Sequence, residues 1–367
     1  MMQKLAVTRA MARVAGEERA DGSVGRSHVK KFEILLSNKL HAPMLGTSGG
    51  TDALILAMKA LQIKSGDEVI VPAFTCVATA SCVSWINARP VFADIRADDY
   101  AVDPGDIEKK ITNKTKAIVV VHLFGQPAGC LQEILNVAKS RGVFVIEDAA
   151  QAFGAKVKTE ETWKDAGTVG DIGCFSFSST KPLSVPGNAG AITARDARAR
   201  TMIRQMRLYG AEIPYYNHPV VGIGAKLHEI HAAILLAKLP FYEHWLDHRK
   251  NLADRYTRTL SGSGDIILPR EEEGTNRIWY RYVIRTRRRD ALLSFLRTTF
   301  RSAPRLTPTI HYPVPLPRFQ IFGSGCAERS FPTAERVATE VLSLPLNDGM
   351  SFRDAEKVCD AVKKFFG

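Results

Sequence analysis

Two stretches of this chain put reactive side chains where a single reaction could use them. Residues 143–152 (VFVIEDAAQA) read as an apolar strand that delivers Glu147 and Asp148 at its carboxyl end, with Gln151 just beyond. Residues 170–181 (GDIGCFSFSSTK) run through Ser176 into a small, hydroxyl-rich turn that carries Lys181. An acid at a strand end followed by a lysine in such a turn is what pyridoxal phosphate chemistry needs. The lysine amine forms a Schiff base with the cofactor aldehyde. The aspartate keeps the pyridine nitrogen protonated, so that the ring accepts electrons.

These residues must be held by a scaffold, and the sequence pattern supplies one. Residues 68–72, 90–94, 117–124 and 143–146 are short apolar runs, and helical patterns lie near 52–62, 75–87, 104–111 and 130–141. Continuous apolar strands alternating with helices predict an α/β fold with a mainly parallel sheet covered on both faces. Ligands then bind at the carboxyl ends of the strands, where Asp148 stands. The helix over 52–62 buries 54, 55, 58 and 61, with Thr51 or Asp52 as its cap. Residues 46–50 (GTSGG) run into that helix, and such a loop can hold an anion on free backbone N–H groups. Read alone, an ordinary capped helix after a loop is the commoner reading. Residues 225–260 are mostly helical, with Pro240 interrupting them. Beyond about 250 the pattern changes: residues 279–284 alternate like a half-exposed strand, 291–300 form a helix, 309–313 an extended loop, and 351–366 a final amphipathic helix. The expected organisation is an arm or frayed helix over 1–25, a large α/β domain over 26–250 and a smaller α+β domain over 251–367.

Composition narrows the class. The 367 residues suit two domains at about 150 residues each. The formal net charge of +12 fits either a soluble basic protein or a site for anionic substrates such as nucleotide diphosphates. Nucleic acid is not expected as a partner, because the basic residues are scattered and no binding motif is present. The densest run, 285–289 (RTRRR), reads as a solvated edge. The six cysteines form no CxxC pair and no zinc-type spacing, so no metal is expected. Several cysteines, in apolar runs, read as small core residues, which suits a reducing cytoplasm. No stretch is long and apolar enough to span a membrane, and the first residues lack a signal-peptide core.

Seven motifs then occur in order: residues 48–54 (SGGTDAL), 67–75 (DEVIVPAFT), 122–127 (HLFGQP), 147–152 (EDAAQA), 170–181, 228–233 (HEIHAA) and 311–313 (HYP). As a set they resemble the DegT/DnrJ/EryC1/StrS family of sugar-nucleotide aminotransferases, from about residue 26 onward. The resemblance implies a fold type I pyridoxal phosphate enzyme. Its large domain would carry a seven-stranded-type, mainly parallel sheet between helices, and it would form a homodimer with active sites at the subunit interface. It implies transfer of an amino group from L-glutamate to a nucleoside-diphosphate keto-sugar. Carried over by position, Lys181 is the Schiff-base lysine and proton carrier, and Asp148 is the acid facing the pyridinium. Gln151 lies near the phenolic oxygen, while Gly50, Thr51 and Ser176 hold the phosphate. His311 and Tyr312 fall on a loop near the substrate, though their proline-flanked setting fits a merely rigid loop as well.

The sequence departs from the family at two places that matter, besides a smaller change at 187–190 (GNAG), where the family usually has an acid and glycines. Cys76 stands where an aromatic side chain commonly stacks on the cofactor ring; its sulfur can only pack there. Gly224 stands where an asparagine commonly reaches the partner subunit's phosphate, a contact that would be lost or passed to a neighbour such as Lys226. Two other readings follow from the resemblance. One is a cofactor-binding relative without transaminase activity, either regulatory or degenerate. The other is a sugar dehydratase of the same fold; those relatives replace the lysine with histidine, so Lys181 speaks against it.

Overall fold

A computed structural model describes residues 2–16, 27–212, 216–323 and 330–367. The described residues form twelve strands: β1 Met44–Thr47, β2 Glu68–Pro72, β3 Arg89–Ala93, β4 Thr115–Val121, β5 Phe144–Asp148, β6 Lys156–Thr159, β7 Thr162–Asp165, β8 Ile172–Ser176, β9 Gly190–Ala194, β10 Thr275–Asn276, β11 Tyr282–Arg285 and β12 Val341–Leu344. The described α-helices are α1 Met2–Gly16, α2 Ser27–Leu40, α3 Gly50–Ala60, α4 Val77–Trp85, α5 Pro104–Lys110, α6 Leu131–Arg141, α7 Ala197–Met206, α8 Glu229–Lys238, α9 Tyr242–Leu260, α10 Arg289–Thr299, α11 Pro332–Glu340 and α12 Phe352–Phe366.

Seven strands form one sheet in the order β1-β9-β8-β5-β4-β2-β3. β2, β3, β4, β5 and β8 are mutually parallel, and β9 alone opposes its neighbours β8 and β1. The sheet is covered on both faces, which is why its strands are apolar without alternation. Val119 and Val121 face one core cluster with Ile146, and Ile118 and Val120 face another with Val145. Each such buried side chain contributes about 1.5–3 kcal/mol relative to exposure. Gly142 ends α6 in the left-handed conformation that glycine adopts without steric cost (φ 65°).

The expected strands over 68–72, 90–94, 117–124 and 143–146 are present with small shifts of their ends. The third stops at Val121 and continues as a tight turn over Leu123–Gly125. Pro240 falls in a short 3-10 turn, Leu239–Phe241, between α8 and α9. Several expectations are corrected. α3 is buried nearly all round, at Ala53 through Met58 and Ala60, with Leu61 only partly covered, because the sheet and α4 and α7 enclose it. Neither Thr51 nor Asp52 caps it: Gly49 occupies the cap position and no side chain does so. The half-exposed strand over 279–284 is β11, which starts only at Tyr282 and is buried throughout. Val283 packs toward the cluster containing Phe331 and Val337, and Tyr282 and Ile284 pack toward the one formed with α9, α10 and α12, so both faces are covered. The basic run is not a uniform solvated edge. Arg287 and Arg288 are exposed, but Arg285 is buried against Glu340 and Arg289 is buried with its guanidinium donating to the Ala338 carbonyl.

α1 lies along α8, and Val14 is buried there, so the part of the arm that is described is docked helix. Residues 17–26 lie outside the described residues. Cys82, Cys130, Cys174 and Cys359 are buried, Cys76 is half-buried, and Cys326 lies outside the described residues. No helix of the described residues is long and apolar enough to cross a membrane. α9 spans two clusters: Tyr242 and Trp245 pack with α2 and α8, whereas Leu252, Tyr256 and Leu260 pack with β11, β12 and α12. We propose that the boundary between the two units runs through this helix near residue 250.

Candidate active site

The site is built at one edge of the large sheet, where β1, β2, β4, β5 and β8 all end. Along β5 successive side chains point to opposite faces, so Glu147 and Asp148 part company. Asp148 is buried, accepts from Thr79 Oγ1 on α4 at 2.9 Å, and accepts from the Ala150 N–H at 3.1 Å. Burial raises its carboxyl above the usual range, opposed by Thr79, the Ala150 N–H and the charge of Lys181. Its ionised form is therefore favoured by a cation set against it.

Glu147 faces the other way and is fully buried. It accepts from His122 Nε2 at 2.8 Å and from the backbone N–H groups of Gly167 (2.8 Å), Val169 (2.7 Å) and Gly170 (2.6 Å). His122 Nδ1 accepts from the Ala128 N–H, which leaves Nε2 to carry the proton. Burial pushes Glu147 up, but the donors outweigh it and hold the carboxyl below the usual range. This knot pins the end of β5 and so the direction of Asp148. Glu147→Ala leaves four buried donors without an acceptor, each worth about 1–3 kcal/mol; we expect a loss of more than about 3 kcal/mol in urea unfolding. The sign with pH follows from a folded value depressed below the unfolded one. The contribution is present above the ordinary value of 4.5 and is lost as pH falls through the folded value.

The turn after β1 meets β8. Gly49 is extended at the start of α3, whose first N–H groups have no side-chain cap. Ser48 Oγ instead donates to Asp52 at 2.6 Å. Gly50 lies on Ser176: a Cβ there would come within 2.8 Å of the Ser176 Cβ and 3.3 Å of its Oγ. The loop and the serine thus share one concavity at a helix N-terminus, which is chemistry for an anion. Thr51, in the first turn, is exposed. The backbone of Lys226 bridges Thr47, and the Ala225 carbonyl accepts from the Ser48 N–H at 2.8 Å, so the 224–227 segment borders this loop. At Gly224 a Cβ would lie 2.5 Å from the Tyr209 hydroxyl, so Tyr209 fills the space a larger residue would take. For Gly50→Ala we expect cofactor affinity to fall at least about tenfold, read by fluorescence titration, since the added methyl and Ser176 cannot both keep their places.

Lys181 closes the site from the turn after β8. It is half-buried, and its Nζ lies 4.9 Å from the Tyr280 ring centre. Gln151 is fixed at both ends: its oxygen accepts from the Phe124 N–H at 2.9 Å and its nitrogen donates to the Tyr312 hydroxyl at 3.3 Å. Tyr312 packs on Phe74 and Phe124, and burial, with Cys76 next, raises its hydroxyl pKa. His311 bonds Ser343 Oγ at 3.0 Å, and burial, then Arg281 and Lys181, hold it down at about 4. Cys76 starts α4, three residues before Thr79.

The structure therefore sets Gly50 on Ser176, Gln151 on Tyr312, and Asp148, Lys181, His311 and Cys76 within electrostatic reach of one another's neighbours, at the carboxyl edge of the sheet. Sequence reading gave no role to Thr79, His122, Glu147, Tyr280 or Arg281. Thr79 had a faint signal, four residues after Thr75 on a helix that starts at the edge of the site. Tyr280 and Arg281 were hidden inside the strand expected over 279–284. The pieces present fit pyridoxal phosphate. A buried carboxylate ends β5 within the charge influence of the Lys181 amine, and a glycine that tolerates no Cβ and a serine line the uncapped helix end.

Comparison with known proteins agrees. The model of the DegT/DnrJ/EryC1/StrS aminotransferase family matches residues 11–363. The chain is 37% identical over 320 residues to UDP-N-acetyl-3-dehydro-alpha-D-glucosamine 3-aminotransferase of Acidithiobacillus ferrooxidans, covering 87% of this chain and 83% of that protein. It is 36% identical over 343 residues to a pleiotropic regulatory protein of Geobacillus stearothermophilus, covering 92% and 89%. The solved structure of S. venezuelae DesV, in complex with a ketimine intermediate, superposes with a TM-score of 0.91 at 33% identity, covering 98% of this chain and 94% of that one. This chain belongs to the DegT/DnrJ/EryC1/StrS aminotransferase family.

Proposed function

We propose that this protein is a pyridoxal phosphate-dependent aminotransferase that moves an amino group from L-glutamate to a keto-sugar carried on a nucleoside diphosphate. The observation that carries the reading is the convergence of Lys181, the buried Asp148 and the Gly50–Ser176 cradle at the carboxyl edge of one sheet. Bound there, the cofactor would supply an electron sink and carry the amino group between donor and acceptor. Lys181 anchors it through Nζ and, once released, takes and returns the proton at the substrate carbon. Asp148 holds the ring nitrogen in its charged form. Gln151, braced by Phe124 and Tyr312, sets the ring's edge, and Cys76 packs near its face. Gly50, Thr51 and Ser176 bind the phosphate. His311 and Tyr312 stand where a substrate enters.

Relatives named for UDP- and dTDP-linked amino sugars support a nucleotide-sugar acceptor. The basic net charge fits anionic substrates. A homodimer is supported by the segment between α7 and α8, which exposes Tyr209, Tyr216 and Val221, a surface a second copy would cover. Buried free thiols suit a cytoplasmic setting. The test is incubation of the cofactor-loaded protein with L-glutamate and a panel of UDP- and dTDP-keto-sugars. Amino-sugar nucleotide formed in step with 2-oxoglutarate is the expected product. Cofactor binding without product from any donor and acceptor would favour a regulatory role, as the name of the Geobacillus relative suggests for that protein.

A further inference from the structure

Arg281 is a cation of the site for which the described residues supply no acid. It is half-buried just before β11, and its Nη2 donates to the Tyr280 hydroxyl at 3.0 Å while the guanidinium carbon lies 4.7 Å from the ring centre. Among the described residues no carboxylate lies within ion-pair distance of it. Several other arginines of low exposure are matched by an acid: Arg207 with Glu33 at 2.6 Å, Arg249 with Asp348 at 2.5 Å and Arg285 with Glu340 at 3.8 Å. Arg277, buried without an ion-paired acid among the described residues, donates instead to the Arg270 carbonyl and lies over the Trp279 ring, away from Lys181 and Tyr280. Arg281 instead shares the Tyr280 ring with a second cation, Lys181 Nζ. Burial raises the Tyr280 hydroxyl, but Lys181 and Arg281 outweigh it and bring it below its usual value. His311 is depressed by burial and by the same two charges. Each is a separate sign of excess positive potential beside Lys181, which a bound anion relieves.

The identity of that anion follows from where the charge sits. The cofactor phosphate has its own cradle at Gly50 and Ser176. In a sugar nucleotide the diphosphate is several bonds from the carbonyl carbon that receives the amine. In an amino-acid donor the carboxylate is attached to the carbon that bears the amine. A guanidinium on the same ring as Nζ therefore meets the donor's carboxylate. Its planar fork matches a carboxylate with two parallel hydrogen bonds, and Tyr280 holds it from behind. We infer that Arg281 is the carboxylate clamp for the amino donor, with Tyr280 as its positioning residue. The inference rests on the aminotransferase reading above, with a carboxylate-bearing donor.

The test uses cofactor-loaded wild type, Arg281→Gln and Arg281→Lys. The probes are glutarate, which has the carboxylates but no amine, and UDP and dTDP, each titrated by calorimetry. The expected result is glutarate binding at least about tenfold weaker in Arg281→Gln, less affected in Arg281→Lys, with nucleotide binding unchanged. The glutamate concentration needed for half-maximal spectral conversion should rise in parallel, and more than the limiting rate falls. Each variant must keep the visible band of bound cofactor, which separates lost recognition from lost folding. Equal glutarate affinity in wild type and Arg281→Gln overturns the inference, as does a loss that falls on UDP or dTDP instead. Arg281-dependent glutarate binding in a wild type that never converts with glutamate would sustain the clamp and count against the aminotransferase reading.

Discussion

Lys181→Ala should abolish turnover, lowering kcat/KM by at least about 10⁴-fold, because one substitution removes both the covalent anchor and the proton carrier. The rest of the site does not depend on this side chain. Gln151 is held by Phe124 and Tyr312, Asp148 by Thr79 and Ala150, and Gly50 by its contact with Ser176. The variant should therefore still take up cofactor but release it on gel filtration. Borohydride treatment followed by mass spectrometry should show no cofactor mass on the chain. Lys181→Arg separates charge from proton transfer. It restores a cation beside Tyr280 but cannot give up a proton near neutral pH, so it should be as inactive as the alanine variant. Appreciable turnover in either protein contradicts the role of Lys181.

The second large effect is expected for Asp148→Asn, and it should divide activity from stability. The substitution keeps the size of the side chain and removes its charge. We expect kcat to fall by about 10²–10³-fold, the range for loss of one preorganised electrostatic partner, while covalent cofactor attachment at Lys181 persists. Folding should not suffer. Burial raises the Asp148 carboxyl above its unfolded value despite the opposing Thr79, Ala150 and Lys181. A carboxyl with a raised folded value opposes folding at pH above that value. At neutral pH the asparagine variant without cofactor should therefore melt at the same temperature as wild type or higher. Its neighbour Glu147 has the opposite sign, since its donors hold it below the usual range. Two adjacent acids thus divide the work, one stabilising the fold and the other costing stability for chemistry. Thr79→Val acts through Asp148, removing a donor to its ionised form; a fall in kcat of about tenfold is expected, with the ring-nitrogen environment altered in the absorption spectrum.

Much of this was legible in the residue order. The strands around Val69, Val91, Val119 and Val145 could be read because both faces are buried and the runs are continuously apolar. The acid at the end of β5 and the lysine after β8 could be placed because sheet strands end where ligands bind. β9, Gly190–Ala194, was not singled out, since a run of small residues gives little strand signal, yet it forms the bridge between β8 and β1. Tyr280 and Arg281 were missed for a different reason. Their role comes from packing between distant segments, where Lys181 and Arg281 meet over one ring, and no local pattern records that. The two departures from the family also look different in three dimensions. Tyr209 occupies the space left by Gly224, and the half-buried Cys76 lies close enough to the Tyr312 hydroxyl to raise its pKa.

The most direct test of the account is the visible spectrum of the cofactor-loaded protein before and after L-glutamate, with no acceptor present. The account predicts loss of the band of lysine-bound cofactor, with 2-oxoglutarate released in equal amount to the sites converted, and return of the band on adding 2-oxoglutarate. A lysine-bound band that stays unchanged with glutamate and every other amino donor would contradict it.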